Sequence, residues 1–448
     1  MHEVDLSADH LVSALLELSK SETVCLLDSC GVGHLGSHLL IAGIEPREVH
    51  EIRTDNPTEA LAFLDEKLSG DLAAIFTFSY DFGPKLEGIR SRLKASKEPD
   101  IFLALFDVLI VHDYDTRKTY LTGDESKFGL IGEKLRTVTV PGVPSVTKPS
   151  TFSSNFTKDG YISTVEEIEE RIRRGDTYQT NLTQQLTVTL PKEMPPQNIF
   201  WNLRRDHPAP FAAFISRKDS SVVSASPERF FRVEGKRITT SPIKGTRPRG
   251  ESKAEDDALR NELLSSEKDI AENTMIVDLL RNDLGRVCEF GSVKVEKLCD
   301  LEEHPSLFHL VSTISGDLRA NTKFSNILKA VFPSGSITGA PKISTMRIID
   351  ELETVPRGLS MGAIGIYVPS PISKVQSPKP AANNFETLDL GSWTLDLSVA
   401  IRTMTIRDNK AVFNVGGGIV IDSDPEKEYE ESLLKAKALL NALGTSEL

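Results

Sequence analysis

The stretch Thr177–Leu190, TYQTNLTQQLTVTL, constrains the fold more than any other part of the chain. Its alternation puts Leu182, Leu186, Val188 and Leu190 on one face of a strand and Gln179, Asn181, Thr183 and Gln185 on the other. The apolar face demands a packed layer behind it. The amide-rich face suits either water or the wall of a polar cavity, and the pattern does not choose between them.

Other segments supply elements that can pack against such a strand. LVSALLELSK is an amphipathic helix, TVCLLDSC a strand, and DLAAIFTFSYDFG a strand ending in a turn. IFLALFDVLIVHDYDTRKTYLTG reads as a hairpin turning near Asp113–Arg117, apolar throughout its first arm. A helix over STVEEIEERIRRG has Ser163 and Glu166 at capping-box spacing. The Pro- and Ser-rich run at 140–155 is the expected break, between a region 1–150 and a region 151–448. Residues 369–392, rich in Pro, Ser and Asn, read as a surface insertion between strands.

Charge narrows the partners. A net charge of −13 argues against nucleic acid or an anionic membrane, and no apolar run is long enough to span a bilayer. The N-terminus shows no signal-peptide pattern. Cys25, Cys30, Cys288 and Cys299 form no C-x-x-C pair and read as buried reduced thiols, so a cytoplasmic location is expected. An acidic protein that binds an anion must concentrate positive charge or a metal locally.

Two features ask for such a site. Glu272, in the helix beginning near Ser266, shares a face with Met275, Ile276 and Leu279, and a carboxylate on an apolar stripe needs a partner or a metal. The C-terminal helix, with Asp424 as N-cap and Pro425 at its first position, carries Glu428 and Glu431 one turn apart; dipole complementation alone also accounts for those. Lys244 lies in SPIKGTRPRG, between a proline turn and a glycine. A solvated loop charge, an anion clamp and a nucleophile are all open to it.

SASPERFF, SPIKGTRPRG, AENTMIVDLLRNDLGRV, HLVSTISGDL, FPSGSITGAPKISTMRIIDELE, GAIGIY, LDLSVAIRTMTI and VGGGIVIDSDPEKEYEES follow one another in this order. Together they resemble the chorismate-utilising enzymes: the first components of anthranilate and aminodeoxychorismate synthase, and the isochorismate and salicylate synthases. The resemblance extends to FTFSYDFG and so covers nearly the whole chain. It implies an α+β fold, with two large antiparallel sheets packed face to face, helices outside, and a site in the cleft between them.

The resemblance also implies roles. Glu272 and Glu431, assisted by Glu428, match ligands of a Mg²⁺ that binds the ring carboxylate of chorismate, a hard-oxygen set that suits this ion. Arg402 matches the arginine gripping the enolpyruvyl carboxylate, and Gly416, Gly417 and Gly418 allow backbone approach to the same group. Thr338 and Gly339 match ring-side contacts, and His309 a histidine near the departing hydroxyl. Glu228 matches the general acid, which must be protonated near neutral pH.

Two positions select the reaction. Isochorismate-type enzymes carry a lysine at the position of Gln179, and glutamine cannot activate water as a base. Anthranilate synthases typically carry alanine where this chain has Lys244, whose amine can add to the ring before ammonia replaces it. The expectation is therefore aminodeoxychorismate synthesis, in the para-aminobenzoate branch of folate biosynthesis. With no glutaminase nucleophile turn in the chain, a separate glutamine amidotransferase is expected to supply ammonia. Anthranilate synthesis is the alternative, and a non-catalytic scaffold the less favoured one. Three features depart from the pattern. Tyr367 stands one place beyond the usual aromatic and is expected on the opposite face. The 369–392 insertion separates two site strands. LLDS, residues 26–29, stands where anthranilate synthases carry part of a tryptophan pocket, and Asp28 is read here as a strand-end residue.

Overall fold

The computed structural model describes residues 1–33, 38–138, 152–303, 307–369 and 394–445. Among the described residues, apolar runs build two antiparallel sheets, one of twelve strands and one of ten. The first runs from His2–Val4 through Val24–Asp28 and Phe211–Ser216 to Lys410–Ile419, Gln179–Thr189 and Gly339–Ala340. The second runs from Ile243–Pro248 through Leu307–Asp317 and Ala363–Val368 to Ala73–Phe78 and Glu48–Ile52.

The sheets share a dry layer, in which Cys25, Ala213 and Ile215 of the first meet Ile75, Phe102, Ile364 and Ile366 of the second. Helices cover both outer faces. Ala8–Leu18, Pro196–Asp206 and Pro425–Ala442 pack on the first sheet through Leu15, Phe200 and Leu439. Pro57–Lys67 and Glu267–Gly285 pack on the second through Leu64 and Ile276, and Lys342–Leu352 packs beside the edge strands Gln179–Thr189 and Gly339–Ala340 of the first. Each such side chain, taken fully from water, contributes about 1.5–3 kcal/mol, so the four layers hold by apolar burial. The expected α+β sandwich is the one observed.

The strand Gln179–Thr189 places Leu186 and Val188 against the helices, while Gln179, Asn181 and Thr183 are buried on the other face. The choice left open is thereby made: the amide-rich face lines the interior. Helix Glu267–Gly285 starts after Ser266, and the C-terminal helix takes Asp424 as its cap and Pro425 in its first turn.

Two expectations need correction. The helix expected from Ser163 begins at Lys158, because Thr157 supplies the N-cap and accepts from Gly160 N at 3.1 Å. The long apolar arm of the hairpin is two strands, Ile101–Phe106 in the second sheet and Val108–Asp113 in the first. The chain changes sheets at Asp107, so both strands are buried on both faces and the alternation disappears. Most of the 140–155 run and of the 369–392 insertion lies outside the described residues. Cys25 and Cys288 are buried, whereas Cys30 and Cys299 are only partly so.

Candidate active site

Lys244 is aimed by a bulge. Its strand pairs with Leu307–Asp317, and the register slips between Lys244 and Thr246. Gly245 between them has φ +76°, and a Cβ there would lie 2.9 Å from Leu263 Cδ1. Only glycine serves the position, and the kink turns the lysine toward helix Glu267–Gly285. Lys244 Nζ lies 2.5 Å from Glu272 Oε1, and Gln179 Nε2 donates to the same oxygen at 3.1 Å. One strand from each sheet and one helix thus meet at a single carboxylate. Burial pushes the Glu272 carboxyl up, but the charge and hydrogen bond of Lys244, with Lys435 and Lys268 behind, bring it below its ordinary value.

Glu228 lies in the turn after strand Ser221–Ser226 and is 6% exposed. Ser336 Oγ donates to its Oε1 at 2.7 Å. Burial pushes its pKa up to about 7, against the opposing Ser336 hydrogen bond and the Lys244 charge. A carboxyl so placed keeps a proton near neutrality, as a general acid must.

Crowding is severe at two of the three glycines, Gly416 and Gly418. A Cβ on Gly416 would sit 1.8 Å from Leu182 O, and one on Gly418 would sit 1.9 Å from Gln179 Nε2 and 3.0 Å from Glu272 Oε1. On Gly417 it would point the other way, 3.3 Å from both Glu428 Oε2 and Lys435 Nζ. Thr338 is fully buried; its carbonyl accepts from Asn181 N at 2.7 Å, and Gly339, at φ +138°, pairs with Thr180. His309 Nδ1 lies 2.9 Å from Thr246 Oγ1, on the strand opposite Lys244.

Arg402 holds φ 49° and has exposed surface, yet desolvation by surrounding protein lowers its pKa. Both hold for a guanidinium lining a recess, and among the described residues no carboxylate pairs with it. Such a group is ready for an anionic ligand. Tyr367 packs in the helix-side core of the second sheet, while Ile366 faces the inter-sheet layer, so the tyrosine does not join the others. Asp28 is fully engaged inside the protein, accepting from Cys30 N, Tyr114 Oη and Arg204 Nε at 2.7–2.8 Å. It is the last residue of strand Val24–Asp28.

Glu272, Glu428 and Glu431 fit a Mg²⁺ by chemistry, being carboxylates from two helices that converge. Glu272 is near enough to Glu431 to raise its pKa, although Lys435, 2.7 Å from Glu431, leaves that carboxyl below its ordinary value despite burial. Glu428 goes the other way, raised by burial and by Glu431 against the donation from Ser423. As they stand, no three such ligands among the described residues close on one point. Glu272 and Glu431 each have one oxygen held by a lysine, Lys244 and Lys435 respectively.

The family model for chorismate binding enzymes matches residues 30–370 and 390–441, which include every site residue above. The chain belongs to that family. It is 36% identical over 387 residues to aminodeoxychorismate synthase component 1 of Bacillus subtilis (strain 168), covering 84% of this chain and 77% of the relative. It is 37% identical over 365 residues to anthranilate synthase component 1 of Aquifex aeolicus (strain VF5), covering 78% and 69%. Among solved structures it superposes on anthranilate synthase component I from Streptococcus pneumoniae TIGR4 with a TM-score of 0.75, 28% identity and coverage of 91% and 93%.

Within this family member, four groups escaped the sequence reading. Ser336 tunes Glu228, and Lys268 and Lys435 neutralise the acidic pair on the C-terminal helix. Lys435 was visible as the i+4 neighbour of Glu431. The fourth is Glu353 with Arg357, also at i+4, behind the strand Gln179–Thr189.

Proposed function

We propose that this chorismate-binding enzyme is the first component of an aminodeoxychorismate synthase, using Lys244 as a covalent nucleophile. The observation that supports it is the placement of Lys244. A bulged strand directs it at Glu272, with its charge felt by Glu228, the buried acid. The 36% identity to a synthase component of this name supports the choice.

Arg402 and the glycine strand hold the enolpyruvyl carboxylate, and the buried Thr338–Gly339 segment bounds the ring. Lys244 Nζ, once parted from Glu272 and having passed its ammonium proton to water, forms a bond from its lone pair to ring C2. The two ring double bonds shift, and the C4–O bond breaks as Glu228 hands its proton to the leaving hydroxyl, which departs as water. Ammonia from a separate glutamine amidotransferase then bonds to C4, the double bonds shift back, and the C2–Nζ bond breaks to release Lys244. The product is 4-amino-4-deoxychorismate. Glu272, Glu428 and Glu431 would hold Mg²⁺, which when bound supplies positive charge at the ring carboxylate.

Anthranilate synthesis is the second reading, favoured by relatives of that name at 37–41% identity. Incubating chorismate, Mg²⁺ and ammonium with wild type and Lys244→Ala separates the two. Aminodeoxychorismate from wild type and its loss in Lys244→Ala is expected. Fluorescent anthranilate from wild type overturns the proposal.

A further inference from the structure

The first sheet ends beside the active site, and it ends early. Strand Gly339–Ala340 pairs with Gln179–Thr189 only at Gln179 and Thr180, and Thr338 O takes the next amide, that of Asn181. Beyond it, the backbone of Asn181 and Thr183 on this edge has no strand to pair with. These groups are buried, and a buried backbone group without a partner costs about 1–3 kcal/mol.

Two side chains take the place of the strand. Arg357 Nη2 donates to Asn181 O at 2.6 Å, and Glu353 Oε1 accepts from Thr183 N and Thr183 Oγ1, each at 2.8 Å. The pair is locked to itself, with Arg357 Nε and Nη2 on the two Glu353 oxygens at 3.0 and 2.7 Å. Arg357 Nη1 reaches further and donates to Ile337 O at 2.9 Å. The guanidinium sits over the Tyr80 ring, 4.4 Å from its centre, and is itself almost wholly buried. One planar cation thus ties the strand bearing Gln179 to the loop bearing Ser336, Thr338 and Gly339.

We infer that Glu353 and Arg357 form a positioning pair for catalysis, a side-chain surrogate for a missing strand that sets Gln179 and the 336–339 loop relative to each other. This rests on the proposed site but not on which amine is made. Neither residue contacts Lys244, Glu228 or Glu272. The pair acts by fixing the distance between the Ser336 that serves Glu228 and the Gln179 that serves Glu272. Lysine cannot replace Arg357, since one ammonium cannot hold two carbonyls and both carboxylate oxygens in one plane.

The test is chorismate consumption, whatever the product, with saturating ammonium and Mg²⁺. Arg357→Lys and Glu353→Gln are compared with wild type alongside urea-unfolding midpoints and hydrogen exchange of segments 179–183 and 336–340. The expected result is a fall in kcat of roughly tenfold to a hundredfold for a folded Arg357→Lys, with KM for chorismate changed less than threefold. Exchange should rise in both segments together. Arg357→Gly should recover part of its kcat with millimolar guanidinium and none with ammonium alone. A folded Arg357→Lys with wild-type kcat, or a loss that only tracks the unfolded fraction, overturns the inference. If wild type consumes no chorismate, the proposed function fails instead, and exchange alone then decides whether the pair holds the two segments; unchanged exchange overturns it.

Discussion

Replacing Glu228 by glutamine tests the electrostatics of the site directly. Enclosure raises its pKa from the ordinary 4.5 to about 7, and a difference of one in pKa corresponds to about 1.4 kcal/mol. Between these values the folded chain holds a proton that the unfolded chain releases. Because the folded pKa is raised, stability from this group is greatest below pH 4.5 and is lost as pH rises toward 7. The loss sums to about 3 kcal/mol. Glu228→Gln stays neutral and has no such slope. Urea unfolding of both proteins from pH 5 to pH 8 should therefore show the variant gaining on wild type by about 2.5 kcal/mol as pH rises, part of the loss having occurred below pH 5. Its turnover should fall by two or more orders of magnitude, within the range a general acid contributes. A stability difference that is flat across this range would refute the buried-acid argument. So would full turnover with ammonium.

Gly418→Ala should fold, but its methyl displaces Gln179 and crowds Glu272, and turnover should fall at least tenfold in a steady-state assay. Glu431→Gln should raise the Mg²⁺ concentration for half-maximal activity by roughly tenfold or more, read by metal titration.

The layers were legible because their strands and helices carry clean two-fold and 3.6-fold periods. Gln179–Thr189 and the helix after Ser266 came out where their residues put them. The exceptions have physical causes. Ile101–Phe106 and Val108–Asp113 are buried on both faces, so no alternation marks the change of sheet at Asp107. The cap is Thr157, not the expected Ser163, which lies inside the helix where the amides ahead of it are already bonded by the preceding turn. At the site, the motifs named Glu228, Glu272 and Lys244, and the structure sets Lys244 against Glu272 with its charge felt by Glu228. Ser336 and the Glu353–Arg357 pair were not named, since their partners are distant in sequence and largely backbone.

The crossing at Asp107 bears on how the chain is made. Val24–Asp28 is flanked by Leu39–Ile44 and by Phe211–Ser216, and Ala73–Phe78 by Ile101–Phe106 and Ala363–Val368. Early strands therefore sit mid-sheet with one edge open until residues hundreds of positions later arrive. During synthesis neither sheet can close before the strands Thr394–Val399 and Lys410–Ile419 leave the ribosome. A nascent chain of this design carries unpaired, apolar strand edges for most of its translation, and its yield is set by protection of those edges as much as by the stability of the finished fold.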